Sequence, residues 1–358
     1  MNFEKIRWAL DTFDIGVYYR ESAWAVGAGR LYRDVFSEYP LAANVLFGTV
    51  RAVAAAFENP EFGFLILWMA SGLAAYAAAV RLAVTDRERR GVRTLLIWLA
   101  PAPLYFAAFR FDVFPALATF LMLFALRAER WRRAALWLGI AIALKGYALF
   151  LLPAIGVYVL QRRGLRAAVE FGAIAVTPFA LGLALPLAFA GVRGMKMPYA
   201  YHSGRGFNGE STWDALSWLL GTDLERWTTH WPRLSQLLQI GGALAAAAMR
   251  PRAFTQLVRA LLFALTAFLS VSTYYSPQYV LWLAPFAYFC ADDAIASVAI
   301  AYGWLTYLYF PVAYDLSYGT TGGPLKPVLA IVTALRLALL ARAARLATRA
   351  EPATVGAY

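Results

Sequence analysis

An all-α protein that crosses a membrane many times, with short and broken helices around a cavity on the external side, is the fold this sequence predicts. Of its 358 residues 61% are hydrophobic and 15% charged, where a soluble domain is about half apolar and about a quarter charged. The apolar residues come in blocks of Ala, Leu, Val and Phe, many of them near the roughly 20 residues that a spanning helix needs. The breaks between blocks are short and arginine-rich. The net charge of +12 therefore reads as cytoplasmic loops obeying the positive-inside rule and not as a nucleic-acid surface. No polar stretch is long enough to fold separately, so a single domain over residues 1–358 is expected.

Taken in order, the first ten residues lack the apolar core of a signal peptide. Residues 1–57 are expected to form an external loop and a helix lying along the membrane, because 41–57 is short and carries Arg51. That leaves an external N-terminus with nothing to carry it across, which leads to the expectation of a further span upstream. The bundle occupies 58–358. Run 62–84 crosses inward to the basic loop TDRERRGVR, and 94–109 and 113–126 go out and back around Arg110-Phe111-Asp112. Run 167–190 then crosses outward into a long external loop, 191–230. The runs 231–249, 254–273, 279–290, 294–313 and 327–346 alternate to the Arg-rich tail.

The stretch 134–160 has basic flanks at both ends, RAERWRR and QRRGLR. Its length of about 27 residues is too short for two crossings at about 1.5 Å per residue. A broken or re-entrant pair turning at Lys145-Gly146 satisfies both facts. Irregular backbone at membrane depth survives only when packed in protein or lining a wet cavity. The short run at 279–290, with Pro285, makes the same point. The single cysteine, Cys290, excludes an internal disulfide.

Several residues carry chemistry. A lysine inside an apolar stretch costs about 2.5 kcal/mol or more at the bilayer centre, so Lys145 needs a partner or a wet cavity. A departing phosphate would serve; so would a structural ion pair, with Glu170 the nearest candidate. The segment DIGVYYRESAWAVGAGRLYRDVFSEYP at 14–40 is acidic and aromatic beside the membrane. Transfer to a hydroxyl needs one ionised carboxylate as base. Asp14 is the candidate, with Asp11, Asp34 and Glu38 as possible substitutes and a helix cap as the plain alternative. Arg110 and Asp112 are acceptor contacts or a capped turn. His202 and Arg205 have the chemistry to grip phosphate oxygens, with Glu210 beyond them. Gln278 and Tyr279 either hydrogen-bond sugar hydroxyls or satisfy backbone freed near Pro277. The sequence has no HExxH or CxxC and no DxD in the external loops. Asp292-Asp293 reads as a helix cap, so neither metal nor cofactor is expected. A lipid or solute transporter would also use broken helices and a buried lysine, but the two halves show no matching hydropathy; a non-catalytic scaffold would place no demand on the loop acids.

Asp14, Tyr18, Tyr19, Gly29, Tyr32, Asp34 and Glu38-Tyr39-Pro40-Leu41, followed by RFDVFPAL (110–117), ALKGYALFLLP (143–153), YHSGRGFNGES (201–211) and SPQYVLWLAP (276–285), together resemble the C-type membrane glycosyltransferases. The nearest resemblance is to the polyprenyl-phosphate-mannose-dependent group that includes phosphatidylinositol-mannoside mannosyltransferases; the mannosyltransferase of GPI-anchor assembly is more distant. The resemblance implies transfer of a hexose from a polyprenyl or dolichyl monophosphate carrier to a lipid or glycan hydroxyl, with inversion. It implies a multi-pass plasma-membrane protein whose active site faces outside, with membrane lipids and no nucleic acid as partners. It makes Asp14 the base; beside it, the chemistry of the residues gives Lys145, His202 and Arg205 as the expected phosphate site and Tyr18, Glu38, Tyr39, Arg110, Asp112, Glu210, Gln278 and Tyr279 as the expected sugar or acceptor contacts. Three departures stand out: the span normally found before the first loop, Leu41 in place of a second proline, and Gly146 where a bulkier residue is usual.

Overall fold

The computed structural model describes residues 12–86, 92–203, 206–222, 230–290, 292–314 and 326–349. These residues are overwhelmingly helical, and no strand occurs among them beyond one isolated bridge from Leu31 to Val35. The chain is an all-α polytopic membrane protein. Among the described residues five helices are long and apolar enough to cross a membrane, or six if one bent pair counts as a span.

Helix α1, Phe13–Glu21, precedes α2, Leu41–Ala54, and α3, Pro60–Thr85. The start of α3 is dictated locally: Asn59 accepts from the Phe62 amide at 3.1 Å and Pro60 opens the first turn. Helices α4, Val92–Leu99, and α5, Pro101–Phe109, form the bent pair, breaking by 43° where Pro101 removes a donor. Then come α6, Val113–Arg127, and α7, Trp131–Leu144. Lys145 is extended (φ −154°, ψ 125°) and leads into a tight turn at Gly146–Leu151. The continuous helical stretch α8, Leu152–Ser203, is broken at Gly164 (φ 83°) and Gly191 (φ 70°), conformations that glycine adopts without steric penalty.

The expected break at Lys145-Gly146 is present, and it is a hairpin. Trp131 at the start of α7 meets Tyr158 on α8 (ring centroids 5.7 Å) and Arg162 pairs with Glu129. Much of the stretch 191–230, expected as an external loop, is helical. Helix continues to Ser203 and α9 spans Thr212–Leu220, because Tyr32 stacks on Phe189, Phe36 meets Tyr201 and His202 bonds the Glu38 carbonyl.

The remaining helices are α10, Trp231–Ala248; α11, Phe254–Val271; α12, Val280–Phe289, entered through a turn at Pro277–Tyr279; α13, Asp293–Tyr307, continued by a wider turn at Leu308–Ala313; and α14, Lys326–Ala347. Asp292 caps α13, as the sequence implies, accepting from Ala294 and Ile295 at 2.9 and 3.2 Å. The expected spans 113–126, 231–249 and 279–290 are not among the five. Helix α6 has 15 residues and α12 only 10, while α10 carries a polar stripe described below.

One core cluster joins α3 to α8 with α11 to α14 around Trp98, Phe120, Trp282 and Tyr288. A second docks α1 onto α2 and α3 through Ile15, Tyr18, Phe47 and Trp68. Where helices touch, glycine admits backbone: a β-carbon on Gly72 would stand 2.1 Å from the Ala107 carbonyl oxygen. The basic breaks gather at one end of the bundle. There Arg127 pairs with Asp86 (2.8 Å), Arg259 with Asp292 (2.9 Å) and Arg93 with Asp293 (3.0 Å), and Arg162, Arg250 and Arg252 line one hollow.

Candidate active site

A cavity of about 1660 Å³ is walled by α1, the 145–146 break, the end of α8, α10 and the Pro277–Tyr279 turn. Asp14, Glu38, Tyr39, Arg110, Lys145, His202, Glu210, Gln278 and Tyr279 all line it. Asp14 lies in the first turn of α1, whose N-cap, Thr12, makes no side-chain capping bond. The Asp14 carboxylate is held by Arg110, Nε to Oδ2 at 3.0 Å. Lys145 is held in turn by Asp112, Nζ to Oδ1 at 2.9 Å.

Both charges are thus secured by one three-residue turn. Arg110 and Asp112 are 5% and 1% exposed. Phe111 between them is fully buried, edge-on to Tyr39 and Phe47, and its amide donates to the Tyr18 hydroxyl at 3.3 Å. Lys145 Nζ also faces the rings of Tyr279 and Trp282 at 5.4 Å each and Phe111 at 5.8 Å. Trp282 is sandwiched between Tyr147 (4.0 Å) and Tyr279 (3.8 Å), and its indole N–H donates to Asp112 at 2.9 Å. An ammonium has three donors, so the Asp112 bond leaves capacity for an anion entering the cavity.

Several expectations are corrected. The partner of Lys145 is Asp112; Glu170 pairs instead with Arg132 at 2.6 Å. Asp112 stands at the N-cap position of α6 but makes no side-chain capping bond, and it does not line the cavity, because its carboxylate faces Lys145 and Trp282. Tyr18 is absent from the lining. It is 0% exposed, stacked on Phe47 at 4.6 Å, and anchors α1 one turn behind Asp14. Asp34 pairs with its neighbour Arg30 at 3.0 Å on the surface. His202 uses Nε2 to bond the Glu38 carbonyl at 3.0 Å, so a phosphate contact through that nitrogen would replace this bond. Arg205 and Asp11 lie outside the described residues.

The segment carrying Glu38 and Tyr39 is fixed from behind. Asn44, fully buried on α2, donates to the Tyr39 carbonyl at 2.8 Å and reaches Ser37 Oγ at 2.9 Å. Ser37 in turn donates to the Glu21 carboxyl, whose burial pushes its pKa up to about 7.

Sequence reasoning missed two groups. Lys196 lines the cavity from the last stretch of α8 with Tyr199 and Ser203; their i, i+3, i+7 spacing is the signal, hidden while the stretch was read as loop. On α10, Ser235, Gln236 and Gln239 line the cavity as well. Ser235 donates to the Val271 carbonyl (2.6 Å) and Gln239 to Ser272 Oγ (3.2 Å), capping the end of α11. Their i, i+1, i+4 recurrence within an apolar run was the available sign.

Residues 39–277, well over half of the chain, match the profile of Glycosyltransferase family 87. The chain belongs to glycosyltransferase family 87. This makes the protein a membrane-embedded transferase acting on a sugar donor and an acceptor. Among curated proteins none matches the chain closely enough to add to this. The family 87 match takes in Arg110, Asp112, Lys145, His202 and Glu210 and begins at Tyr39. Asp14 precedes it, and the tie between Asp14 and the matched region is the contact with Arg110.

Proposed function

We propose that this family 87 glycosyltransferase moves a hexose, mannose first among the candidates, from a polyprenyl or dolichyl monophosphate carrier to a lipid or glycan hydroxyl, with inversion, on the non-cytoplasmic face of the plasma membrane. The observation that carries the reading is that a carboxylate and a half-buried ammonium line the same cavity, each secured by the turn 110–112.

In this reading the acceptor oxygen attacks the anomeric carbon while Asp14 takes its proton. The bond from that carbon to the carrier phosphate breaks, and its electron pair leaves with the phosphate. Lys145 receives the phosphate charge, with Lys196, His202 and Arg205 as further cationic or hydrogen-bonding groups. A monophosphate is neutralised by such side chains, so the reaction needs no metal. Glu38, Tyr39, Gln278 and Tyr279 contact sugar or acceptor hydroxyls, and Tyr279 offers a ring face beside Trp282. The basic breaks gathered at the opposite end support a cytoplasmic placement of that end.

The test is incubation of purified protein with defined polyprenyl-phosphate sugars and a membrane lipid extract, with products identified by mass. Mannosylated lipid is expected from wild type, and turnover about 10²- to 10⁴-fold lower from Asp14→Asn, with donor binding retained. Near-normal turnover by that variant excludes Asp14 as the base; accumulation of substrate across a liposome without any glycosidic product overturns the whole reading.

A further inference from the structure

The carboxylate that holds Lys145 receives two donors on one oxygen and none on the other. Lys145 Nζ lies 2.9 Å from Asp112 Oδ1, and the Trp282 indole N–H donates to that same atom at 2.9 Å. Asp112 Oδ2 is buried without a hydrogen-bond partner among the described residues. A buried acceptor left unmatched is costly and calls for an explanation. Its remedy lies close by: a small turn of the carboxylate would let both oxygens take hydrogens from the ammonium. Trp282 opposes that turn, since its N–H pins Oδ1.

The indole is itself held fast. Trp282 is 2% exposed and lies between Tyr147 (centroids 4.0 Å apart, planes 8°) and Tyr279 (3.8 Å, 18°). The Tyr147 hydroxyl is hydrogen-bonded to Thr119 Oγ1 on α6 at 2.8 Å, and Asp112 stands at the head of the same helix. Donor and acceptor are thus fixed to one element. Lys145, Tyr147, Tyr279 and Trp282 line the cavity while Asp112 lies behind them, so the carboxylate reaches an entering anion only through the ammonium.

We propose that Trp282 is a positioning residue for the donor phosphate: by pinning Asp112 Oδ1 it stops the carboxylate gripping Lys145 with both oxygens, and so leaves two of the three ammonium hydrogens for the phosphate. The donated N–H also takes up part of the Asp112 charge, so the carboxylate competes less with phosphate for the ammonium. The proposal rests on the reading that Lys145 receives the phosphate of a polyprenyl-phosphate donor.

The experiment measures binding of a polyprenyl monophosphate, and of the uncharged polyprenol of the same length, to purified protein in nanodiscs. Wild type is compared with Trp282→Phe, which keeps a ring in the stack and lacks the N–H. Wild type should bind the phosphate-bearing lipid more tightly. Trp282→Phe should weaken that binding about tenfold and change polyprenol binding less than about twofold. With the polyprenyl-phosphate sugar that wild type turns over, KM should rise by a similar factor and kcat stay within about threefold, as when an interaction common to bound substrate and transition state is lost. A wall that had merely collapsed would lose the uncharged chain as well. Replacing the Trp282 side chain by that of 3-benzothienylalanine, where sulfur takes the place of the N–H in a ring system of the same shape, carries the same expectation should Trp282→Phe misfold. Unchanged affinity for polyprenyl phosphate in either folded variant, or an equal loss for both lipids, overturns the proposal. Equal binding of both lipids by wild type overturns the donor reading itself, and the proposal with it.

Discussion

Lys145 and Asp112 pose a question that one residue cannot answer: whether the ammonium is there for a substrate or for its carboxylate. Removing one member of a buried pair leaves the other uncompensated, at a cost of about 3–5 kcal/mol. Asp112→Asn is expected to lower stability by about 3 kcal/mol, read as a fall in the unfolding midpoint in nanodiscs. The double change Asp112→Asn/Lys145→Met removes both charges and should recover most of that loss while turnover stays at least about 100-fold down. Full recovery of turnover would make the pair purely structural. Both members were visible in the sequence, Lys145 because a charge among apolar residues needs a reason and Asp112 because it sits in a short polar turn. Their pairing was not, because the partner is fixed by long-range packing of α6 against the turn after Lys145, where Thr119 meets the Tyr147 hydroxyl at 2.8 Å, and the sequence offers Glu170 equally.

Among elements, the break at Lys145-Gly146 was legible because basic flanks and too short a length leave one solution. The stretch 192–203 was not. Gly194 and Pro198 give it a loop-like composition, and what keeps it helical is distant: a β-carbon on Gly194 would meet the Tyr32 carbonyl oxygen at 3.1 Å, and Tyr201 and His202 reach Phe36 and Glu38. Three apolar runs were read as spans although α6 and α12 are short and α10 is polar on one face; periodicity marks a helix but not the depth at which it lies. The crossing of α3 and α5 supplies a test at this scale. Gly72→Ala puts a methyl against the Ala107 carbonyl and should cost about 1–3 kcal/mol through overpacking, measured as a drop in the melting midpoint. Gly146→Ala, where a β-carbon meets nothing within 4 Å, should leave the midpoint unchanged.

For the molecule as a whole, burial has raised two carboxyls, Glu21 and Glu210, from an ordinary value of 4.5 to about 7. Between those values the folded chain holds protons that the unfolded chain has released, so stability falls as pH rises from about 4.5 to about 7 and levels off above. The melting midpoint in nanodiscs is expected to be higher at pH 5 than at pH 8. Glu21→Gln should flatten part of that slope, and an unaltered slope in Glu21→Gln would remove Glu21 as its source.

A bilayer thickens, thins and bends around the proteins it holds, and helices tilt in answer. Parts carried on separate helices would drift apart under such strain. Here the grips on the acid and on the ammonium belong to neighbouring links of one chain, Arg110 and Asp112, so the span between them is a matter of bond lengths. The proposed centre of the reaction is in that sense insulated from the mechanics of the membrane around it.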